Sequence, residues 1–214
     1  MRLLFLLICL LIVPNLAQAQ PAVTLVQKTT AYGTISYPQV SNLPDEKVEQ
    51  AINKQIEDVA ANWTCATDEG LDIPASSTFD ATSTLRLLDQ THLSFTTVLN
   101  YYCGGAYPGT LMISSNLDVH TGKAISLGDL MLPEWQGDSL TRLLVKEHKF
   151  AGGCMDERGN NIIEEIYNPE AGGVLWDYYR TQDNIVFFPQ LPHAVQACFE
   201  EFSLPLEQAK AYLR

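Results

Sequence analysis

Residues 101–131 read YYCGGAYPGTLMISSNLDVHTGKAISLGDLM, and this stretch sets the grammar of the whole chain. Leu93, Phe95, Thr97 and Leu99 alternate with Ser94, Thr96, Val98 and Asn100 on the approach to it. Leu111, Ile113, Ser115, Leu117 and Val119 then alternate with their neighbours inside it. A period of two is the spacing of half-buried strands. Between the two runs lies Cys103-Gly104-Gly105-Ala106-Tyr107-Pro108-Gly109, where three glycines and a proline supply positive φ and a fixed bend. After the second strand, His120-Thr121-Gly122-Lys123 reads as a tight turn, and Ser126 as the cap of a helical turn through Asp129, Leu130 and Met131.

Working outward toward the amino end, the pattern extends into a meander. Strands are expected at 79–88 and 92–102, turned by Asp89-Gln90-Thr91, with a loop over 68–78. Further back, Val48, Ile52, Ile56, Val59 and Trp63 recur at steps of three and four, the mark of an amphipathic helix. Asp45, Glu46 and Glu49 stand in its first turns, where the helix dipole favours acids. Pro38 and the run Ser41-Asn42-Leu43-Pro44 punctuate its start. Residues 23–37 mix β-branched and aromatic residues around Gly33, and read as a strand pair or one long bent strand.

Toward the carboxyl end, Asp138 is expected to cap a second amphipathic helix carrying Leu140, Leu143, Leu144 and Phe150 and ended by Ala151-Gly152-Gly153. A short helix is expected within the acidic stretch 156–170. Strands are expected at 174–179, 184–188 and 195–202, and a last helical turn over 205–213. Strand runs interrupted by two main helices predict an α+β fold, a mostly antiparallel sheet covered by those helices.

The amino terminus addresses the compartment. Arg2 precedes an apolar run from Leu3 to Val13, then Pro14 and Ala17-Gln18-Ala19, the layout of a secretory signal peptide over residues 1–19. Eleven apolar residues fall short of the roughly 20 that span a bilayer. Cys9 lacks the preceding small residues of a lipoprotein signal. The expectation is a single domain over 20–214, periplasmic or secreted, with no membrane span after cleavage. Losing Arg2 from 13 basic and 25 acidic residues takes the formal charge from −12 to −13. That field argues against nucleic acid and anionic surfaces as partners and favours cationic ones.

Cys65, Cys103, Cys154 and Cys198 remain, an even number in an exported chain, and two disulfides are expected. Of the three pairings, Cys65 to Cys103 with Cys154 to Cys198 is preferred, because each ties a less regular segment onto a strand. No CxxC occurs and no histidine stands at short ligand spacing from a cysteine, so no metal site and no cofactor are expected. Asn62-Trp63-Thr64 matches a glycosylation sequon and is read as accidental in a bacterial exported protein.

No catalytic residues are assigned. Asp118, Asp129, Glu164, Glu165 and Asp177 offer many carboxylate pairings without selecting one. His92, His120, His148 and His193 are scattered, with no nucleophile elbow or HExxH pattern near them; His120 and His193 read as hydrogen-bonded loop residues, and Ser76-Ser77 and Ser114-Ser115 have no identifiable base. Candidate ligand contacts are Tyr101, Tyr102 and Tyr107 beside the glycine turn, since tyrosines at a turn can anchor an interface.

Ser36-Tyr37-Pro38 before a Glu/Lys-rich helix, Cys103-Gly104-Gly105-Ala106-Tyr107-Pro108, Leu117-Asp118 with Thr121-Gly122-Lys123, Leu127-Gly128-Asp129-Leu130, and the late FFPQLPHAVQAC block from Phe187 to Cys198 together resemble the RsiV-like family. The resemblance runs over most of residues 30–213. It implies an α+β fold and contact with lysozyme or the cell wall, as in the lysozyme-sensing region of RsiV anti-sigma factors and the accessory domain of PdaC-type peptidoglycan deacetylases. The anti-sigma segment, its transmembrane helix and the deacetylase domain are not found in this sequence. The expectation is therefore a free-standing, exported, non-catalytic binding module that recognises or inhibits lysozyme or another cationic wall protein, or else binds peptidoglycan or another envelope glycan.

Overall fold

The computed structural model describes residues 20–65, 74–147, 174–191 and 193–214. The signal peptide, Phe150, the 151–153 helix end, the 156–170 helix and Cys154 lie outside the described residues, as does most of the 68–78 loop.

Among the described residues, eight strands form two sheets. The first has the order β1-β2-β3-β4-β5, built from β1 (Ala22–Thr29), β2 (Thr34–Ser41), β3 (Thr78–Leu88), β4 (His92–Tyr102) and β5 (Gly109–Asp118). The meander read from the sequence is present, with Leu93 opposite Leu117 and Tyr101 opposite Gly109. Residues 22–41 are a strand pair closed by a turn in which Thr30 N donates to Gly33 O at 2.8 Å. Between β2 and β3 the chain makes helix α1 (Glu46–Ala61) and returns in the same direction. The β2–β3 pairing, Ile35–Ser36 with Ala81–Thr82, is therefore parallel.

Pro38, read from the sequence as punctuation, sits inside β2 opposite Leu25. At that position the missing N–H would face away from β1, on the side where β2 has already left β3, so no ladder bond is lost. Asn53 of α1 takes over there: its Oδ1 accepts from Val40 N and its Nδ2 donates to Val40 O, both at 2.8 Å.

Helix α1 is capped by Asp45, whose carboxylate accepts from Lys47 N at 2.8 Å. Its buried stripe is Ile52, Ile56 and Ala60, packed with Val40, Leu93, Phe95 and Leu117 and, further along, with Ile35, Trp63, Phe79 and Leu99. Val59, expected on that stripe, is 44% exposed. Asn62 caps the helix end and its amide donates to Asp58 O at 2.8 Å.

After β5 come α2 (Leu127–Leu130), a 3-10 turn (Pro133–Trp135) and α3 (Asp138–Glu147). Ser126 and Asp129 form the expected cap reciprocally, as a capping box. Asp138 is the first residue of α3 and not its cap; the carbonyl of Gly137 accepts from Thr141 N. The second sheet, β6-β7-β8, consists of β6 (Leu175–Arg180), β7 (Asn184–Gln190) and β8 (Phe202–Pro205), all antiparallel. The strand expected over 195–202 is not formed. A 3-10 helix occupies His193–Cys198 and pairing resumes only at Phe202. Val195, Cys198, Phe199 and Phe202 are spaced by three and four, a helical period that outweighs the weak alternation. The last helical turn, α4, is confined to Leu206–Ala209.

The α+β class and the antiparallel pairing stand as expected, but the strands are divided between two sheets with separate cores. The second core gathers Met131, Leu140, Leu144, Tyr178, Ile185, Phe187, Phe202 and Leu204. The chain end closes it, since Leu132 N donates to Tyr212 O and Arg214 N to Leu130 O.

Polar bonds join the sheets along β5. Its outward groups are met in turn: Gln196 Nε2 donates to Thr110 O, Gln190 Nε2 to Met112 O, Ser114 N to Asp177 Oδ2, and Ile125 N to Asn116 O. Behind them, Asn116 Nδ2 donates to Tyr178 O at 2.7 Å and Arg180 N to Ser94 Oγ at 2.9 Å. One edge of the five-stranded sheet is thereby closed to further pairing.

Cys65 and Cys103 form the expected disulfide. Cys198 is also disulfide-bonded, while Cys154, its expected partner, lies outside the described residues.

Candidate functional site

The tyrosines at the glycine turn are positioned by two strands and the disulfide. Tyr101 and Tyr102 are neighbours on β4, so their side chains leave opposite faces of the sheet. The Tyr101 ring stacks on Phe79, with centroids 6.1 Å apart, and lies over Gly109 across the ladder. A Cβ at Gly109 would come within 2.5 Å of Tyr101 Cζ, which explains the glycine there. Tyr102 Oη donates to Gly105 O at 3.1 Å and braces the turn from inside. Gly104 and Gly105 hold φ of +95° and +105°, a region L side chains rarely adopt. Cys103, at the root of the turn, is tied to Cys65 just beyond α1.

Of the three candidates, then, two are built into the scaffold. Tyr101 is 36% exposed and Tyr107, at the tip, is 74% exposed. Of the triad read from the sequence, Tyr107 is thus the most exposed.

The β1–β2 turn lies at the same end of the sheet, because Phe79 N donates to Tyr32 O at 2.9 Å. Gly33 makes that approach possible: a Cβ there would meet Phe79 O at 2.6 Å. Between this hairpin and the end of α1 is a cleft of about 180 Å³ bordered by Lys28, Tyr37, Glu57 and Trp63. A larger, more open cleft of about 510 Å³ continues along α1, bordered by Val26, Tyr37, Gln39, Gln50, Glu57 and Asp58. Lys54 pairs with Asp58 at 2.7 Å on the helix surface, and that bond raises the lysine above its ordinary value. Sequence reasoning assigned Trp63 to the helix stripe and Tyr37 to the strand region 23–37, and gave neither them nor Lys28 a place in a cleft, since only the return of α1 over β2 brings them together.

Of the carboxylates weighed for catalysis, Asp118 and Asp129 stand at separate turns and Asp177 on β6. Asp118 accepts from His120 N and Thr121 N, both at 2.8 Å. Burial would push it up, but these two bonds hold it below the usual carboxylate value. Asp129 is held low by Ser126, whose hydroxyl donates to it at 2.6 Å. Asp177 accepts from Ser114 N at 2.9 Å, Ser114 Oγ at 2.5 Å and Tyr178 N at 2.8 Å. Each therefore satisfies backbone donors of its own turn or of the seam between the sheets. Glu164, Glu165 and His148 lie outside the described residues. His92 hydrogen-bonds Thr91 Oγ1 at 2.7 Å and lies 3.9 Å from Asp89. Burial, then the nearby Arg180 charge, lowers its pKa. Among the described residues no three His, Cys, Asp or Glu side chains are grouped to hold a metal ion, and no helix is long and apolar enough to cross a membrane.

No family model and no curated protein matches the chain. Solved structures do. A DUF3298-family protein of Bacteroides fragilis is similar over 91% of this chain and 93% of its own, with TM-score 0.57 and 16% identity. A DUF3298-family protein of Pseudomonas aeruginosa is similar over 92% of this chain and 96% of its own, with TM-score 0.52 and 12% identity. At these identities the likeness concerns the fold, and the fold does not carry a function with it.

Proposed function

We propose that the protein is an exported, non-catalytic binding module that recognises a cationic wall-associated protein such as lysozyme. The observation that carries this reading is Tyr107, exposed to 74% at the tip of a turn whose root is fastened by Cys65–Cys103. An aromatic ring held on a pre-organised turn loses little conformational freedom on binding, which is the property of an interface anchor. The formal charge of −12 adds attraction for a basic partner, chiefly through the association rate. The RsiV-like resemblance of the glycine turn, Cys103 to Pro108, points the same way.

A second reading, an envelope glycan such as peptidoglycan, is favoured by the clefts beside α1. Aromatic rings there (Tyr37, Trp63) stand near hydrogen-bonding side chains (Gln39, Gln50, Glu57), a combination suited to a sugar.

The test is binding of residues 20–214, disulfides intact, to several classes of lysozyme at low and moderate salt, with wall lysis followed in parallel. Saturable binding that survives moderate salt, slows lysis and falls at least tenfold in Tyr107→Ala supports the protein ligand. Binding to soluble peptidoglycan fragments that is lost in Tyr37→Ala and kept in Tyr107→Ala supports the glycan instead.

A further inference from the structure

The two edges of the five-stranded sheet differ in kind. Along β5 every second residue from Thr110 to Asn116 has its outward N–H or C=O met by Gln196, Gln190, Asp177 or Ile125. At the opposite edge stands β1, eight residues with no proline and a continuous register against β2.

The register fixes which groups of β1 point outward. Thr30 N donates to Gly33 O, and all β1–β2 partners follow that pair in step, Lys28 with Ile35, Val26 with Tyr37 and Thr24 with Gln39. Hydrogen-bonded pairs alternate with open ones in an antiparallel ladder. The even-numbered residues of β1 therefore bond to β2, while Val23, Leu25, Gln27 and Thr29 turn their N–H and C=O groups outward. Three bonds on the far side of β2 agree with this phase: Thr34 N reaches Asp80 Oδ1, Ser36 O accepts from Ser83 Oγ, and Val40 N reaches Asn53 Oδ1. Among the described residues no backbone bond is made by the outward groups of β1. Its side chains are mostly exposed, Leu25 to 52%.

We infer that the outer edge of β1 is a strand-addition site that takes an extended, cationic segment of a partner protein. Open edges of this kind are templates for an added strand, in which main-chain bonds supply affinity and alternate side chains supply selectivity. The charge of the partner follows from the surroundings. Helix α1 carries Glu46, Glu49, Glu57 and Asp58 against Lys47 and Lys54; Glu57 and Asp58 border the cleft that Val26 lines, where Lys54 pairs with Asp58, so the excess of acid lies in the helix and the chain as a whole at −12. A strand added to β1 would lie about 4.8 Å beyond it, in the field of a chain at −12, which favours lysine or arginine side chains on the added strand. Lys28, the one charge on β1, shares the smaller cleft with Glu57. A second copy of this chain is the poorer occupant, because two chains of −12 repel.

This inference rests on the cationic-protein reading and adds a second contact to it. The probe is a capped nine-residue peptide of alternating Lys and Val, with its Glu/Val counterpart, added to the intact 20–214 protein. Amide hydrogen exchange is read by NMR. The Lys/Val peptide is expected to slow exchange at Val23, Leu25, Gln27 and Thr29 at least tenfold, with the already bonded even-numbered amides changing less and the Glu/Val peptide having no effect. Gln27→Pro removes an outward N–H and should abolish this protection. Leu25→Lys, at an exposed position, should weaken it at least tenfold, and decides the matter if the proline variant proves unstable.

Equal protection by both peptides, or protection confined to the 103–109 turn, overturns the inference. So does concentration-dependent protection of the odd amides without peptide, which would mark a second copy as occupant. Lysozyme binding that persists in both β1 variants but falls in Tyr107→Ala would overturn strand addition and leave the proposed function standing. Protection of β1 by the peptide in a protein that binds no lysozyme would do the reverse.

Discussion

Replacing Asp177 with alanine should loosen the seam between the two sheets. The carboxylate accepts from Ser114 N at 2.9 Å, Ser114 Oγ at 2.5 Å and Tyr178 N at 2.8 Å, so one side chain holds β5 to β6. A hydrogen bond to a charged group contributes about 1.5–3 kcal/mol net, and a buried donor left without a partner costs about 1–3 kcal/mol. The site is part-buried, so water replaces some of what is lost. A destabilisation of about 2–3 kcal/mol follows, which corresponds to roughly 4–12 °C in Tm for a chain of this size. Urea unfolding followed by tryptophan fluorescence is the assay, with Trp176 immediately adjacent. Asp177→Asn, which keeps one acceptor oxygen, should fall between wild type and alanine. A midpoint for Asp177→Ala within about 0.5 kcal/mol of wild type would refute the reasoning, and the seam would then rest on Asn116, Gln190 and Ser94.

Joint substitution of Cys65 and Cys103 by alanine opens a loop with a sequence separation of 38, worth about 4 kcal/mol in the loop-entropy model. Denaturant titration reads the loss, and substitution is preferable to reductant because Cys198 is also disulfide-bonded. Gly33→Ala should cost about 1–3 kcal/mol, since the new Cβ would stand 2.6 Å from Phe79 O and 2.7 Å from Asp80 Oδ1. Differential scanning calorimetry would detect it, and an unchanged Tm would contradict the close approach of the hairpin to β3. His92 is held below its ordinary value of 6.5, first by burial and then by Arg180. The folded state thus binds this proton less readily than the unfolded one. Its contribution to stability is complete above pH 6.5 and is lost as pH falls through the lowered folded value. A stability profile between pH 7.5 and 5 should slope downward with acid and flatten in His92→Gln; an equal slope in both would place the titration elsewhere. Asp89 follows a different window: burial would raise it, but bonds from Thr91 and His92 bring it below 3.8, so its contribution is lost only in stronger acid.

What was legible in the sequence was what local periodicity encodes. The separate strands of the meander from Thr78 to Asp118, none longer than 11 residues, the 16-residue helix α1 and the Ser126 cap each declare themselves locally. The Cys65–Cys103 pairing was legible because both cysteines flank such elements. Relations across the chain were not. Nothing near Asp177 announces that it binds Ser114, 63 residues earlier, so the division into two sheets was hidden. Alternation of period two also cannot show which edge of a sheet is closed, because closure at β5 depends on Gln190 of β7 and Gln196 of the 3-10 helix, 78 and 86 residues further along the chain than the carbonyls they meet. The projecting Tyr107 was legible as a turn residue, whereas the locking of Tyr101 by Gly109 required the ladder register.

Closure of one edge and exposure of the other also bears on what keeps copies of the chain apart. An uncovered edge strand normally invites pairing between copies of the same chain. Here β1 itself carries only Lys28 as a charge, so repulsion between copies must come from the rest of the molecule at −12. Such repulsion is long-ranged at low salt and weakens as the Debye length falls to about 8 Å at physiological ionic strength. Main-chain pairing is insensitive to salt by comparison. The balance selects by charge: a basic segment gains from the same field that keeps identical chains apart. Raising the salt should therefore weaken capture of a cationic strand without abolishing it, because the main-chain bonds remain, whereas Gln27→Pro removes one of those bonds and should abolish capture at any salt.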